Sequence, residues 1–156
     1  MSEKKIYLDN AASRRIKPDI LQEYFTDLKE IYANPASNHK AGQCASEVIS
    51  KSKDVLAEVL SASPEEILFT SGGTESINLA LKGLKGGYPR IPARILVSQG
   101  EHEAVRKTAR ALHWETFEIG LEPATATVDK EKLIQTISKN SIGIVSLIVV
   151  SNETGA

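Results

Sequence analysis

An α/β fold, with a mostly parallel sheet and helices on both faces, is what this sequence predicts, and three observations carry the prediction. From residue 67 onward, short apolar runs alternate with helical periodicity. Strands are expected at 67–70, 94–98, 115–119 and 142–151, and helices at about 74–85, 102–113 and 130–139. The run from Ile142 to Val150 has few polar breaks, as a central strand buried on both faces requires. The chain is 156 residues long, 41% hydrophobic and 25% charged, which is enough apolar material to bury a real core in one domain.

The elements follow in order. Ile6-Tyr7-Leu8 reads as a short strand ended by Asp9-Asn10. Pro18 opens a helix that runs to about Ala33 and places Ile20, Leu21, Tyr24, Phe25, Leu28, Ile31 and Tyr32 on one face. Asn34-Pro35 stops it, and a polar loop continues to Lys40. A second helix is expected from about Ala41 to Leu60, with Ala45, Val48, Ile49, Val55, Leu56 and Val59 inward and Cys44 as a small buried or half-buried filler. Ser63-Pro64-Glu65-Glu66 reads as one capped turn, with Glu66 reaching back to Ser63. Asp129 caps the helix at 130–139. On this reading residues 1–62 form an N-terminal helical segment and residues 63–156 the first part of an α/β domain. The last strand gives way to polar turn material just where more helix and strand would be expected, so the chain looks cut in mid-domain.

Composition narrows the function classes. A net charge of -1 gives no electrostatic case for nucleic acid or an anionic membrane. One cysteine excludes an internal disulfide framework and suits a reducing compartment. The lead Met1 to Lys5 runs into only three apolar residues, too few for a signal peptide, and no apolar run reaches membrane-spanning length, so a cytoplasmic protein is expected. Three scattered histidines and the lone cysteine have no metal-ligand spacing. No cation is placed to activate Cys44 as a nucleophile.

The chemistry is expected in the loops that follow the strands. Ser71-Gly72-Gly73-Thr74-Glu75-Ser76 joins an apolar run to a helical pattern, and a small-residue turn at a helix start is how proteins grip phosphate. Its spacing matches neither the G-x-x-x-x-G-K-[ST] loop nor the G-x-G-x-x-G fingerprint. Thr74 supplies a hydroxyl, or else only caps its helix. The loop from Ser98 to Glu103 supplies His102, whose place near a helix N-terminus favours a neutral ring with a stacking or proton-transfer role. The segment from Ser151 to Ala156 supplies Asn152, whose amide either meets a ligand or supports a turn. A parallel sheet would bring all three loops to one edge, where open α/β sheets bind ligands. His39 is either a turn residue or close to the site, and His113 beside Trp114 is structural.

Five segments then match one family. Tyr7-Leu8-Asp9-Asn10-Ala11-Ala12 resembles the Y-L-D-N-A-A opening of cysteine desulfurases, and Asn34 to Gly42 resembles their N-P-S-S-x-H-x-x-G segment. Phe69 to Ala80 is similar to F-T-S-G-x-T-E-S-x-N-x-A, Glu101 to Val105 to E-H-x-A-V, and Ser151 to Gly155 to N-N-E-x-G. The five occur in the family's order across nearly the whole chain. The departures are Ala36, where the family usually has serine, and Ser151, where it usually has asparagine.

The resemblance implies a pyridoxal 5'-phosphate enzyme of fold type I, in the class-V aminotransferase group, taking sulfur from L-cysteine and leaving alanine. It implies that Gly73 and Thr74 hold the cofactor phosphate, that His102 stacks on the pyridine ring and assists proton transfer, and that Asn152 bonds the ring's phenolic oxygen. Asp9 to Ala12 would lie near the substrate. It further implies a sulfur-acceptor protein, a role such as iron–sulfur cluster assembly, and a homodimer when complete. The family's Schiff-base lysine, its pyridine-nitrogen aspartate, its carboxylate-binding arginine and its nucleophilic cysteine would all fall beyond residue 156. Cys44 does not match that cysteine. The isolated chain is therefore expected to be inactive. Alternatives are a selenocysteine lyase or another class-V enzyme, or a truncated non-catalytic relative.

Overall fold

The strand β1, Arg94–Ser98, consists almost entirely of residues that water disfavours, and Ile95, Leu96, Val97 and Ser98 have essentially no solvent contact. In the computed structural model β1 pairs in parallel on both sides, with β2 (Glu115–Ile119) and β3 (Ile144–Ser146), giving the order β2-β1-β3. Arg94 faces Glu115 and Ser98 faces Ile119 along one ladder, and Ile95 faces Ile144 along the other. Helix α4 (Glu103–Ala111) links β1 to β2, and α5 (Lys130–Lys139) links β2 back across β1 to β3. Parallel crossovers are right-handed, so two that run in opposite directions lie on opposite faces. One face of β1 carries Ile95 and Val97 into a cluster with Leu81, Val105, Ala109, Leu112 and Ile144, and Leu96 lies outside that cluster. The expected α/β architecture with a parallel sheet is what the chain adopts.

The structure describes residues 6–156, and the chain divides into two units, Met1–Phe69 and Thr70–Ala156. The lead Met1 to Lys5 lies outside the described residues. The sheet belongs to the second unit. So does α3 (Gly73–Gly87), which packs on α4 through Ile77 and Leu81. The first unit holds α1 (Pro18–Glu30), α2 (Lys40–Leu60) and a short 3-10 turn at Pro64–Glu66.

Several expectations are met residue by residue. Asp129 accepts from Lys132 N at 3.0 Å and starts α5. Glu66 Oε2 accepts from Ser63 N at 2.8 Å and from Ser63 Oγ at 3.0 Å, closing the capped turn. His113 takes a left-handed φ of 56° directly after Leu112, the C-cap of α4, a structural place at a helix end.

Others need correction. Neither Ile6-Tyr7-Leu8 nor Ile67 to Thr70 forms a strand, because neither finds a ladder partner among the described residues. The expected long strand 142–151 pairs only over Ile144–Ser146. It lies at an edge of the sheet rather than at its centre, and in this register the residues after Leu147 run beyond the end of β1. The inward face assigned to α2 buries only Ala45, together with Gly42 and Ala57, while Val55 and Val59 are exposed. Cys44 is exposed rather than buried. Helix α1 buries no residue, and Ile20, Tyr24, Phe25 and Leu28 stay about half exposed. Apolar periodicity marks the face a helix would bury and says nothing of whether a partner covers it.

Candidate cofactor site

The turn before α3 is shaped by its side chains. Gly72 has φ 153° and ψ -179°, a conformation closed to residues with a Cβ, and it is the N-cap of the helix. Glu75 reaches back so that its Oε2 accepts from Ser71 N at 2.6 Å and Ser71 Oγ at 2.7 Å. These bonds hold the Glu75 carboxyl below the ordinary carboxylate range, the Ser71 hydroxyl contributing most. Thr70 Oγ1 and Ser76 Oγ lie 2.6 Å apart, one donating to the other, and each is 3.2 Å from Gly72 O, which accepts from the hydroxyl whose proton remains free. Thr70, Ser71, Glu75 and Ser76 thus brace the turn from within.

The first helical bond runs from Ser76 N to Gly72 O at 3.1 Å, which leaves the earlier amides of α3 unpaired in the way of helix starts. Thr74 is the second residue of α3, not its cap, so the capping-only reading of Thr74 fails. A Cβ built on Gly73 would meet nothing within 4 Å, so open space faces the turn there. Gly72, not Gly73, is the glycine the backbone demands.

His102 is the N-cap of α4, and its Nδ1 accepts from Ala104 N at 3.1 Å. A nitrogen that accepts carries no proton, so the ring proton sits on Nε2, which points away from the helix start. His39 does the same at α2, its Nδ1 accepting from Gly42 N at 3.2 Å. Asn152 stands in an exposed turn built by its neighbour. Ser151 Oγ accepts from Glu153 N and Thr154 N, both at 3.3 Å, and Ser151 O accepts from Gly155 N at 2.8 Å. The Asn152 amide takes no part in holding that turn. Ser151, the departure from the family pattern, is the residue that makes it.

Parallel pairing puts the ends of β1 and β3 on one edge of the sheet. Ser146 Oγ donates to Glu101 Oε1 at 2.8 Å across that edge, and a Cβ on Gly100 would come within 3.7 Å of Ile148. The loop carrying His102 and the segment leading to Asn152 therefore meet. Helix α3 starts at the same end as α4. Lys85 Nζ, near the end of α3, donates to Leu112 O at the end of α4 at 2.7 Å, and Ile77 and Leu81 share a cluster with Val105 and Ala109. Two helices tied at their last turns and packed along these residues run parallel, so Gly73 and Thr74 lie toward the edge from which α4 departs. No hydrogen bond joins Thr74, His102 and Asn152 to one another, and all three are exposed. An apolar depression nearby is lined by Gly100, Leu121, Leu133, Leu147 and Ser151, and by none of the candidate residues. Asp9 to Ala12 and His39 belong to the other unit. Among the described residues no group of His, Cys, Asp and Glu is assembled to hold a metal, and no helix is long and apolar enough to cross a membrane.

Comparison with known proteins gives a consistent set of likenesses. The family described as Aminotransferase class-V matches residues 6–156. A cysteine desulfurase IscS of Shewanella loihica is 40% identical over 156 residues, covering 96% of this chain and 38% of its own length. A solved structure titled NifS-like protein superposes with a TM-score of 0.88 at 31% identity, over 96% of this chain and 41% of that one. Another, titled SspA in complex with cysteine, superposes with a TM-score of 0.78 at 25% identity, over 92% of this chain and 42% of that one. The chain thus spans roughly two fifths of the length of these relatives, and it matches their N-terminal part.

Proposed function

Because the chain belongs to the class-V aminotransferase family, we propose that it is the N-terminal part of a pyridoxal 5'-phosphate-dependent cysteine desulfurase and supplies non-covalent contacts to the cofactor. The observation that carries this reading is the turn at Gly72 to Ser76. It is braced internally by Ser71 and Glu75, yet leaves the Thr74 hydroxyl, the first amides of α3 and the space over Gly73 open. A phosphate fits that set of donors. The exposed His102 ring, with its proton on Nε2, fits an aromatic group stacked at the same edge, and the uncommitted Asn152 amide fits a phenolic oxygen there.

When bound, the cofactor supplies an electron sink for cleavage at the substrate's carbon–sulfur bond. The residues of this chain would bind and orient it: Gly73 and Thr74 the phosphate, His102 the ring face, Asn152 the ring oxygen. His102 Nε2 is the group placed to hold or pass a proton. L-Cysteine is the substrate this reading names, in line with relatives called cysteine desulfurases. A sulfur-acceptor protein, a role in iron–sulfur assembly, a cytoplasmic location and a homodimeric complete protein belong to the same reading. On this reading the covalent lysine and the nucleophilic cysteine are not among these 156 residues, and the chain by itself is expected to bind the cofactor without turning over.

Fluorescence titration with pyridoxal 5'-phosphate tests this. Saturable binding is expected, weakened about tenfold in Thr74→Ala by loss of one bond to a charged group. Sulfide production from cysteine is expected to stay at background. Equal binding by Thr74→Ala and the parent chain would contradict the phosphate assignment, and turnover would contradict the division of labour.

A further inference from the structure

Among the described residues Glu101 is the side chain whose hydrogen bonds join the two arms of the candidate site, and the E-H-x-A-V likeness that contains it gave it no role. Its Oε1 accepts from Ser146 Oγ at 2.8 Å, across 45 residues of sequence. Its Oε2 accepts from the backbone N–H of His102 at 3.3 Å. Its own N–H donates to Ser98 O at 3.1 Å, which turns the chain sharply off the end of β1. Ser146 is the last residue of β3 and pairs in register with Val97. The carboxylate thus spans from the end of one strand to the N-cap of the helix that leaves its neighbour. A negative charge just ahead of a helix start is also favoured by the exposed amides there.

We propose that Glu101 is a positioning residue: its carboxylate fixes the start of α4, and with it His102, relative to the strand that leads into the Asn152 turn. It touches no reacting group and acts through His102. Hydrogen bonds to a carboxylate are among the stronger ones, and Ser146 Oγ is partly buried, so either partner left alone loses its bond without full replacement by water. What the site binds rests on the cofactor reading above; the bridge itself does not.

Long-range nitrogen–proton spectra of the labelled 156-residue chain test this, with Glu101→Ala, Glu101→Gln, Ser146→Ala and the double variant Glu101→Ala/Ser146→Ala. The His102 ring and amide resonances are expected to move in the same direction in Glu101→Ala and Ser146→Ala, and no further in the double variant. Glu101→Gln, which keeps one acceptor oxygen and the same shape, is expected to show a smaller shift, and it decides the matter if Glu101→Ala does not give a folded spectrum. Pyridoxal 5'-phosphate affinity, titrated in parallel, is expected to fall about fivefold in each single variant and no more in the double one. Unmoved His102 resonances, or shifts that simply add, would overturn the bridge. A wild-type chain that binds no cofactor while the non-additive shifts appear would leave the bridge standing and overturn the cofactor reading instead.

Discussion

Helices α2 and α4 both begin with a histidine whose Nδ1 accepts a backbone amide, yet the two starts do different work. At α2 the device is locked in. Gly42 is buried, and a Cβ there would run into the Ser37 carbonyl oxygen and come within 2.8 Å of Asn34 O. The loop from Asn34 to His39 is folded tightly on the helix, with Ala36 N donating to Asn34 Oδ1 at 2.9 Å. His39 and His102 are both exposed, and neither ring's Nε2 has a hydrogen-bond partner among the described residues; what differs at α4 is the loop, where a Cβ on Gly100 would meet only side-chain atoms, at 3.4 Å or more. The same cap therefore follows a loop packed backbone against backbone in one unit and a looser loop in the other.

Substitutions can break this comparison. The largest effect is expected for Gly42→Ala, which forces backbone oxygens apart and should cost about 3 kcal/mol in urea unfolding. Gly72→Ala, strained by its φ of 153°, should cost about 2 kcal/mol, while Gly73→Ala, with open space at its Cβ, should be close to neutral. The pair separates the glycine that shapes the turn from the one that leaves room over it. Smaller and more telling is His102→Asn. Asparagine is a good cap, so helix stability should be kept to within a few tenths of a kcal/mol. Cofactor affinity should nevertheless fall severalfold, whereas His39→Asn should change neither.

The smallest effect is a pH dependence. The Ser71 hydroxyl and amide hold the Glu75 carboxyl below its ordinary range. The unfolded chain therefore takes up that proton first as acid is added. The contribution is complete above the ordinary carboxylate range, about pH 4 to 5, and is lost as pH falls through the lowered value. Amide resonances of Gly73 and Thr74 should shift across that acid window in the parent chain and stay flat in Glu75→Gln.

Much of the second unit was legible because its signals are local. Asp129 announces α5, and the run at 94–98 is apolar enough to admit only a buried strand; in the first unit Glu66 announces the capped turn in the same way. Pairing is not local. Residues 67–70 and 142–151 have strand-like composition, but a strand exists only where a ladder partner lies alongside, and composition does not show the partner. The apolar stripe of α1 was legible as a stripe and its exposure was not, for the same reason. At the candidate site, the turns and helix starts that carry Thr74, His102 and Asn152 could be read from turn chemistry and position. Glu101 and Ser151 could not, since their roles lie in a bond across the sheet and in a turn hidden behind a departure from the family pattern. The available signal for Glu101 was its own place at the head of the E-H-x-A-V segment.

The central claim is that one edge of the sheet gathers Thr74, His102 and Asn152 around a phosphorylated aromatic cofactor. Amide shift mapping of the chain during titration with pyridoxal 5'-phosphate, beside pyridoxal lacking the phosphate, tests it most directly. Perturbations confined to Gly73, Thr74, His102 and Asn152, with the Gly73 and Thr74 shifts absent for the unphosphorylated compound, are the expected result. Shifts that miss these residues, or that are identical for both compounds, would contradict it.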